Sequence, residues 1–179
     1  MRCSVFIATS LDGYIAREDG TIDWLLEANG AVPEGEDCGF AEFMSGIDVL
    51  VMGRNTFEQV MTFDTWPYGE TRLVVLSSSL HRVPDGCPDT VSVANATPRG
   101  LIRDLADAGC THAYIDGGDT IRRFLADGLI DHITITVIPV LLGGGKPLFG
   151  AAEKDVWLEL ESSRSYDFGF VQNRYRVRR

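Results

Sequence analysis

Two stretches of the chain, VLVMGRNTFE at 49–58 and YIDGGDTIRR at 114–123, share one grammar: a short apolar run, glycine, then residues able to open a helix. Apolar runs this short and unbroken read as strands covered on both faces, because an open face would show alternating polar residues. The pattern recurs. TRLVVL at 71–76 ends in Ser77, Ser78 and Ser79, TVSVA at 90–94 reads as another strand, and TPRGLIRDLADAG at 97–109 opens on a capping Thr97 and Pro98 and closes on Gly109. Repeated strand, turn and helix demand an α/β fold whose mostly parallel sheet carries helices on both faces.

RCSVFIAT at 2–9 reads as a first, central strand, and Ser10 to Cys38 as a long loop with a short turn of helix from Ile22 to Glu27. FAEFMSGI at 40–47 places Phe40, Phe43, Met44 and Ile47 at helical spacing. These aromatics, with Phe57, are expected in the core; Phe40 also faces the long loop and is a candidate to touch a ligand. DHITITVIPV at 131–140 alternates Ile133, Ile135 and Val137 on one face, and the C-terminal residues 156–179 read as an antiparallel hairpin turning near Asp167 to Gly169. Arg174, Arg176, Arg178 and Arg179 are expected at the surface. A chain of 179 residues fits one domain, 1–179.

A net charge of −10 repels nucleic acid and anionic lipid, which leaves a small molecule as the expected partner and requires any phosphate to be held by local donors. No run approaches the roughly 18 apolar residues of a membrane span, and MRCSVFIATSLDG is too short and too polar for a signal peptide, so a cytoplasmic protein is expected. Cys3, Cys38, Cys87 and Cys110 form no Cys-x-x-Cys pair and are scattered along the chain; no metal site is expected.

Ligands of such sheets bind beyond the C-terminal ends of the strands. There, Gly53, Arg54, Asn55 and Thr56 offer helix-start N–H groups and a guanidinium, a combination that holds phosphate or, equally, an ordinary capped helix with a solvated arginine. Ser77, Ser78 and Ser79 offer hydroxyls, or simply a loop. Gly117 and Gly118 remove side chains where a pyrophosphate could approach, or make a tight turn, with Asp119 or Thr120 as cap. Together the three tips suggest an extended phosphorylated cofactor, with a dinucleotide the natural candidate. The Gly-x-Gly-x-x-Gly fingerprint is missing, and LLGGGKP fails as a phosphate loop because Val140 and Pro147 stand where Gly and Ser or Thr are required. Neither a Rossmann fold nor an NTPase is indicated.

VLVMGRNTFE, ATSLDGYIA with DWL after it, and YIDGGDTIRRFLADGLIDHITITVIPVLLGGGKPLFG resemble the dihydrofolate reductase-like superfamily, in the branch of the riboflavin-pathway reductase domain. The resemblance spans nearly the whole chain. It implies a three-layer α/β/α fold with about eight strands and a C-terminal antiparallel hairpin, NADPH as cofactor, and a homodimer. On the cofactor it places Gly53, Arg54, Asn55, Thr56, Ser77, Ser78, Ser79, Gly117, Gly118, Asp119 and Thr120, with Leu76 and Ile115 beside them and Ala8 at the nicotinamide. Trp24, Phe40, Leu142, Gly143 and Gly144 fall on the substrate side. Asp37, or its neighbour Glu36, just before a predicted helix, and Asp12, in the loop over the nicotinamide, are the alternative carboxylates for protonation. The implied activity is hydride transfer to a small nitrogenous substrate of the 5-amino-6-(5-phosphoribosylamino)uracil type; dihydrofolate or pteridine reduction and non-catalytic NADPH binding are the alternatives. No zinc deaminase signature accompanies the reductase-like motifs.

Overall fold

The structure is a computed structural model that describes residues 1–150 and 154–178. In chain order its elements are β1 (Arg2–Ser10), β2 (Tyr14–Ala16), α1 (Asp23–Asn29), α2 (Phe40–Ser45), β3 (Val49–Gly53), α3 (Arg54–Val60), β4 (Arg72–Leu76) and β5 (Val91–Ala94). Then follow α4 (Pro98–Asp107), β6 (His112–Asp116), α5 (Gly118–Ala126), β7 (His132–Ile138), β8 (Lys146–Pro147), β9 (Leu158–Ser165) and β10 (Val171–Val177). The main sheet has eight strands in the order β5-β4-β3-β6-β1-β7-β10-β9. All neighbours from β5 to β7 are parallel; β10 runs antiparallel to β7 and β9 antiparallel to β10.

The apolar runs are strands because both faces of the sheet are covered. Val49 and Val51 point to the side where Leu101 and Leu105 of α4 and Ile121 and Phe124 of α5 pack. Leu50 and Met52 point the other way, against Phe57 and Val60 of α3, with Phe40, Phe43 and Met44 of α2 beside them. This is the expected three-layer α/β/α arrangement with its antiparallel C-terminal hairpin. Thr97 caps α4 as its sequence predicts, its hydroxyl accepting from Gly100 N–H at 3.2 Å.

Two short strands escaped the sequence reading. β2 and β8 pair antiparallel as a separate two-stranded ribbon, and β2 lies inside the stretch read as loop. Strands of three and two residues are too short for periodicity to register. Arg174 and Arg176 are at the surface as expected, and there they pair with Glu161 at 3.0 Å and Glu159 at 2.6 Å. Arg179 lies outside the described residues. Among the described residues no helix is long and apolar enough to cross a membrane.

Candidate active site at one edge of the sheet

Strands β4, β3 and β6 are neighbours and parallel, so their C-terminal tips open on the same edge. Gly53 is in register with Leu76 and Met52 with Asp116, which sets Arg54 beside Ser77 and Gly53 beside Gly117. Arg54 Nη1 donates to Ser79 Oγ at 3.0 Å, joining the tips of β3 and β4, while its Nε lies 3.4 Å from Glu58 Oε1. The Ser77 hydroxyl accepts from the N–H groups of Ser79 at 3.2 Å and Leu80 at 3.0 Å, which folds the serine turn and leaves Ser78 exposed.

α3 and α5 both start on glycine, Gly53 and Gly117, without a side-chain cap, so their first N–H groups lack that partner. Asn55, Thr56, Asp119 and Thr120, expected as caps, instead lie within the first helical turns. The bare backbone has a different cause from the expected one. A Cβ on Gly117 would collide with Thr56 Oγ1, one on Gly53 would meet Thr120 Oγ1 at 3.0 Å, and one on Gly118 would meet Ile15 Cδ1 at 2.8 Å. Protein atoms fill the side-chain space, so what these turns can offer a ligand is main-chain N–H groups. Asp119 is paired with Arg122, whose Nη1 also donates to Pro147 O at 2.6 Å. Leu76 and Ile115 lie within the core, 5% and 0% exposed.

Deeper along the same edge, Ala8 and Leu142 pack against a cluster of Trp24, Ile138, Tyr166 and Phe170. Trp24 is 3% exposed and its indole N–H has no partner among the described residues. Phe40 belongs to the neighbouring aromatic group, edge-on to Phe6 at 5.6 Å between centroids. The structure therefore unites Trp24, Leu142 and Ala8 in one cluster and sets Phe40 in the adjoining one.

Asp37 and Asp12 both accept several hydrogen bonds, which favour the ionised form. Asp37 accepts from the N–H groups of Gly39 and Ala41, each at 2.8 Å, at the start of α2, and these bonds, Ala41 first, hold its carboxyl below the ordinary range. Asp12 accepts from Ser10 Oγ at 2.6 Å, Gly143 N–H at 2.8 Å and Leu142 N–H at 3.2 Å. The serine bond is the largest cause of its lowered pKa. Gly144 lies next to them, half-buried.

A third carboxylate, not singled out from the sequence, is poised differently. Asp116 ends β6 and shares the α2/α3 side of the sheet with Tyr114, two residues before it. Burial pushes its carboxyl up to about 6, against a bond from Gly117 N–H at 2.8 Å that favours the ionised form. Burial and then the Asp116 charge raise the phenol of Tyr68. The Tyr114 hydroxyl donates its proton to Phe6 O at 2.7 Å. An acid closing an otherwise apolar strand, as in YIDGG, was the available signal.

Residues 3–171 match the family model of the RibD C-terminal domain. The uncharacterized protein YwjB of Bacillus subtilis is 35% identical over 165 residues, covering 90% of each chain. The crystal structure of a Shewanella sp. PV-4 protein named for riboflavin biosynthesis superposes with a TM-score of 0.93 at 43% identity, covering 100% of both chains. A Thermotoga maritima diaminohydroxyphosphoribosylaminopyrimidine deaminase/5-amino-6-(5-phosphoribosylamino)uracil reductase shares the fold, with a TM-score of 0.72 at 16% identity over 99% of this chain and 56% of that one.

Proposed function

The chain belongs to the RibD C-terminal domain family, and on that footing we propose that it is an NADPH-dependent reductase of the 5-amino-6-(5-phosphoribosylamino)uracil reductase type. The observation that carries the proposal is the alignment of three phosphate-compatible tips, Ser77–Ser79, Gly53–Thr56 and Gly117–Thr120, on adjacent parallel strands.

The residues fit such a cofactor. Two uncapped helix starts turn N–H groups toward the edge, where the helix dipoles favour a diphosphate. Arg54, bonded to Ser79 through Nη1 and paired with Glu58 through Nε, has Nη2 donors left for a 2′-phosphate. The protein's overall negative charge makes these local donors necessary.

The bound dihydronicotinamide supplies the hydride. Ala8, with its small side chain on the central strand, would face the nicotinamide, with Trp24 and Leu142 of the same cluster on the substrate side. Asp116, at the same strand-tip edge and with its carboxyl raised by burial to about 6, is the candidate to deliver the proton. The aromatic clusters around Phe6, Phe40 and Trp24 exclude water from the transfer. In this reading the enzyme works on a diffusible small molecule in the cytoplasm, as a homodimer.

The test is NADPH oxidation on addition of the phosphoribosylaminouracil, with wild type and Asp116→Asn. Turnover by the wild type and a loss of about 100-fold in kcat for the variant, at unchanged NADPH affinity, are expected. Tight NADPH binding with no oxidation by this substrate or by dihydrofolate would make the chain a binding module; turnover of dihydrofolate alone would make it a pteridine reductase.

A further inference from the structure

The β1–β2 turn and the segment 140–148 are joined at both ends. Leu11 N–H donates to Val140 O at 2.9 Å, Leu148 N–H donates to Gly13 O at 3.0 Å, and Tyr14 and Ala16 pair with Pro147 and Lys146. Between these joints runs the glycine-rich loop. Gly145 lies so close to the Ala16 carbonyl that a Cβ would collide with it, which explains a glycine there. The loop borders a shallow, open surface depression lined by Arg17, Glu18, Asp19, Leu142, Gly143 and Gly144.

What holds the loop down is the Asp12 carboxylate. Its orientation is fixed from below by Ser10, a residue only 1% exposed, whose hydroxyl donates to Oδ1 at 2.6 Å and accepts Tyr14 N–H at 2.9 Å. Oδ1 then receives Leu142 N–H at 3.2 Å and Oδ2 receives Gly143 N–H at 2.8 Å. Hydrogen bonds to an ionised acceptor are about twice as strong as neutral ones, so two of them can decide where a five-residue, glycine-rich stretch rests. The Leu142 side chain, thus fixed, packs against the cluster of Trp24, Ile138, Tyr166 and Phe170, as Ala8 does.

We infer that Asp12 is a positioning residue that latches the 142–145 loop through two main-chain N–H groups and thereby sets Leu142 as a wall of the substrate pocket. Asp12 acts through Leu142 and not on the reacting atoms. The substrate-pocket half of this inference rests on the reductase reading; the latch itself does not.

Two measurements separate those halves. In the free protein, without cofactor or substrate, Asp12→Ala should speed amide exchange at Leu142 and Gly143 by about tenfold or more while the Leu11 and Leu148 amides stay protected. Unchanged exchange at Leu142 and Gly143 overturns the latch whether or not the protein is a reductase. In turnover, Asp12→Ala should raise KM for the reducible substrate about tenfold, with kcat within about twofold and NADPH affinity unaltered. Leu142→Ala should do the same, and the double variant should be no worse than either single one. Additive effects, or a collapse of kcat in Asp12→Ala with Leu142→Ala near wild type, would place Asp12 in the chemistry and overturn the positioning role.

Discussion

Thr56 occupies the space above Gly117: a side chain on that glycine, held at φ +84°, would run into Thr56 Oγ1 and lie 3.2 Å from its Cβ. Thr120 stands over Gly53 in the same way, so the turns after β3 and β6 interlock. Gly117→Ala should therefore destabilise the fold by about 2 kcal/mol or more, from left-handed backbone strain plus overlap. Thr56→Ala in the same chain should restore part of that loss. Urea midpoints of the two single variants and the double variant give the coupling; strict additivity would contradict the interlock.

Asp116 makes stability depend on pH in a definite direction. Its folded pKa of about 6 lies above the ordinary carboxylate value of 3.8, so its contribution is intact in acid and is lost as pH rises through 6. Asp116→Asn, always neutral, should accordingly gain on the wild type by up to about 3 kcal/mol at pH 8, the gain fading below about pH 4. Denaturation curves at both pH values check this. An equal difference at both would show that the carboxyl is not raised.

Asp37 should behave as a helix cap. Asp37→Ala removes two acceptors at the start of α2 and should cost about 1 kcal/mol. Its folded pKa is lowered, so this contribution is present at neutral pH and disappears as pH falls through the folded value. NADPH oxidation by the folded variant should stay near wild type; a fall of two orders of magnitude would return Asp37 to the chemistry.

Core packing gives a reference lesion. Phe124 of α5 is fully buried against β3, β6 and β1, and Phe124→Ala should cost about 3–5 kcal/mol in a thermal or chemical melt. A loss below about 1 kcal/mol would mean that α5 is not held to the sheet as described.

Much of the architecture was legible because the strands are covered on both sides. VLVMG and HAYID carry little but apolar residues, and Thr97 with Pro98 marks a helix start unambiguously. The ribbon of β2 and β8 was not legible, since its few residues are held by partners more than a hundred positions away. The site was legible by residue type but not by cause. Gly117 and Gly118 stand out in the sequence as bare backbone, but the packing of Thr56 over Gly117 and of Ile15 beside Gly118 appears only in the fold. Asp12 and Asp37 drew attention as acids near loops; their N–H partners appear only on folding. For Asp116 the sequence displays only an acid closing an apolar strand; the burial that raises its pKa comes with the fold.

The account rests on the tips of β4, β3 and β6 binding NADPH, and calorimetry of NADPH against NADH, with wild type and Arg54→Ala, tests this most directly. NADPH should bind at least about tenfold more tightly than NADH, and Arg54→Ala should remove most of that preference while leaving NADH affinity unchanged. Equal affinity for the two nucleotides, or a preference untouched by Arg54→Ala, would contradict it.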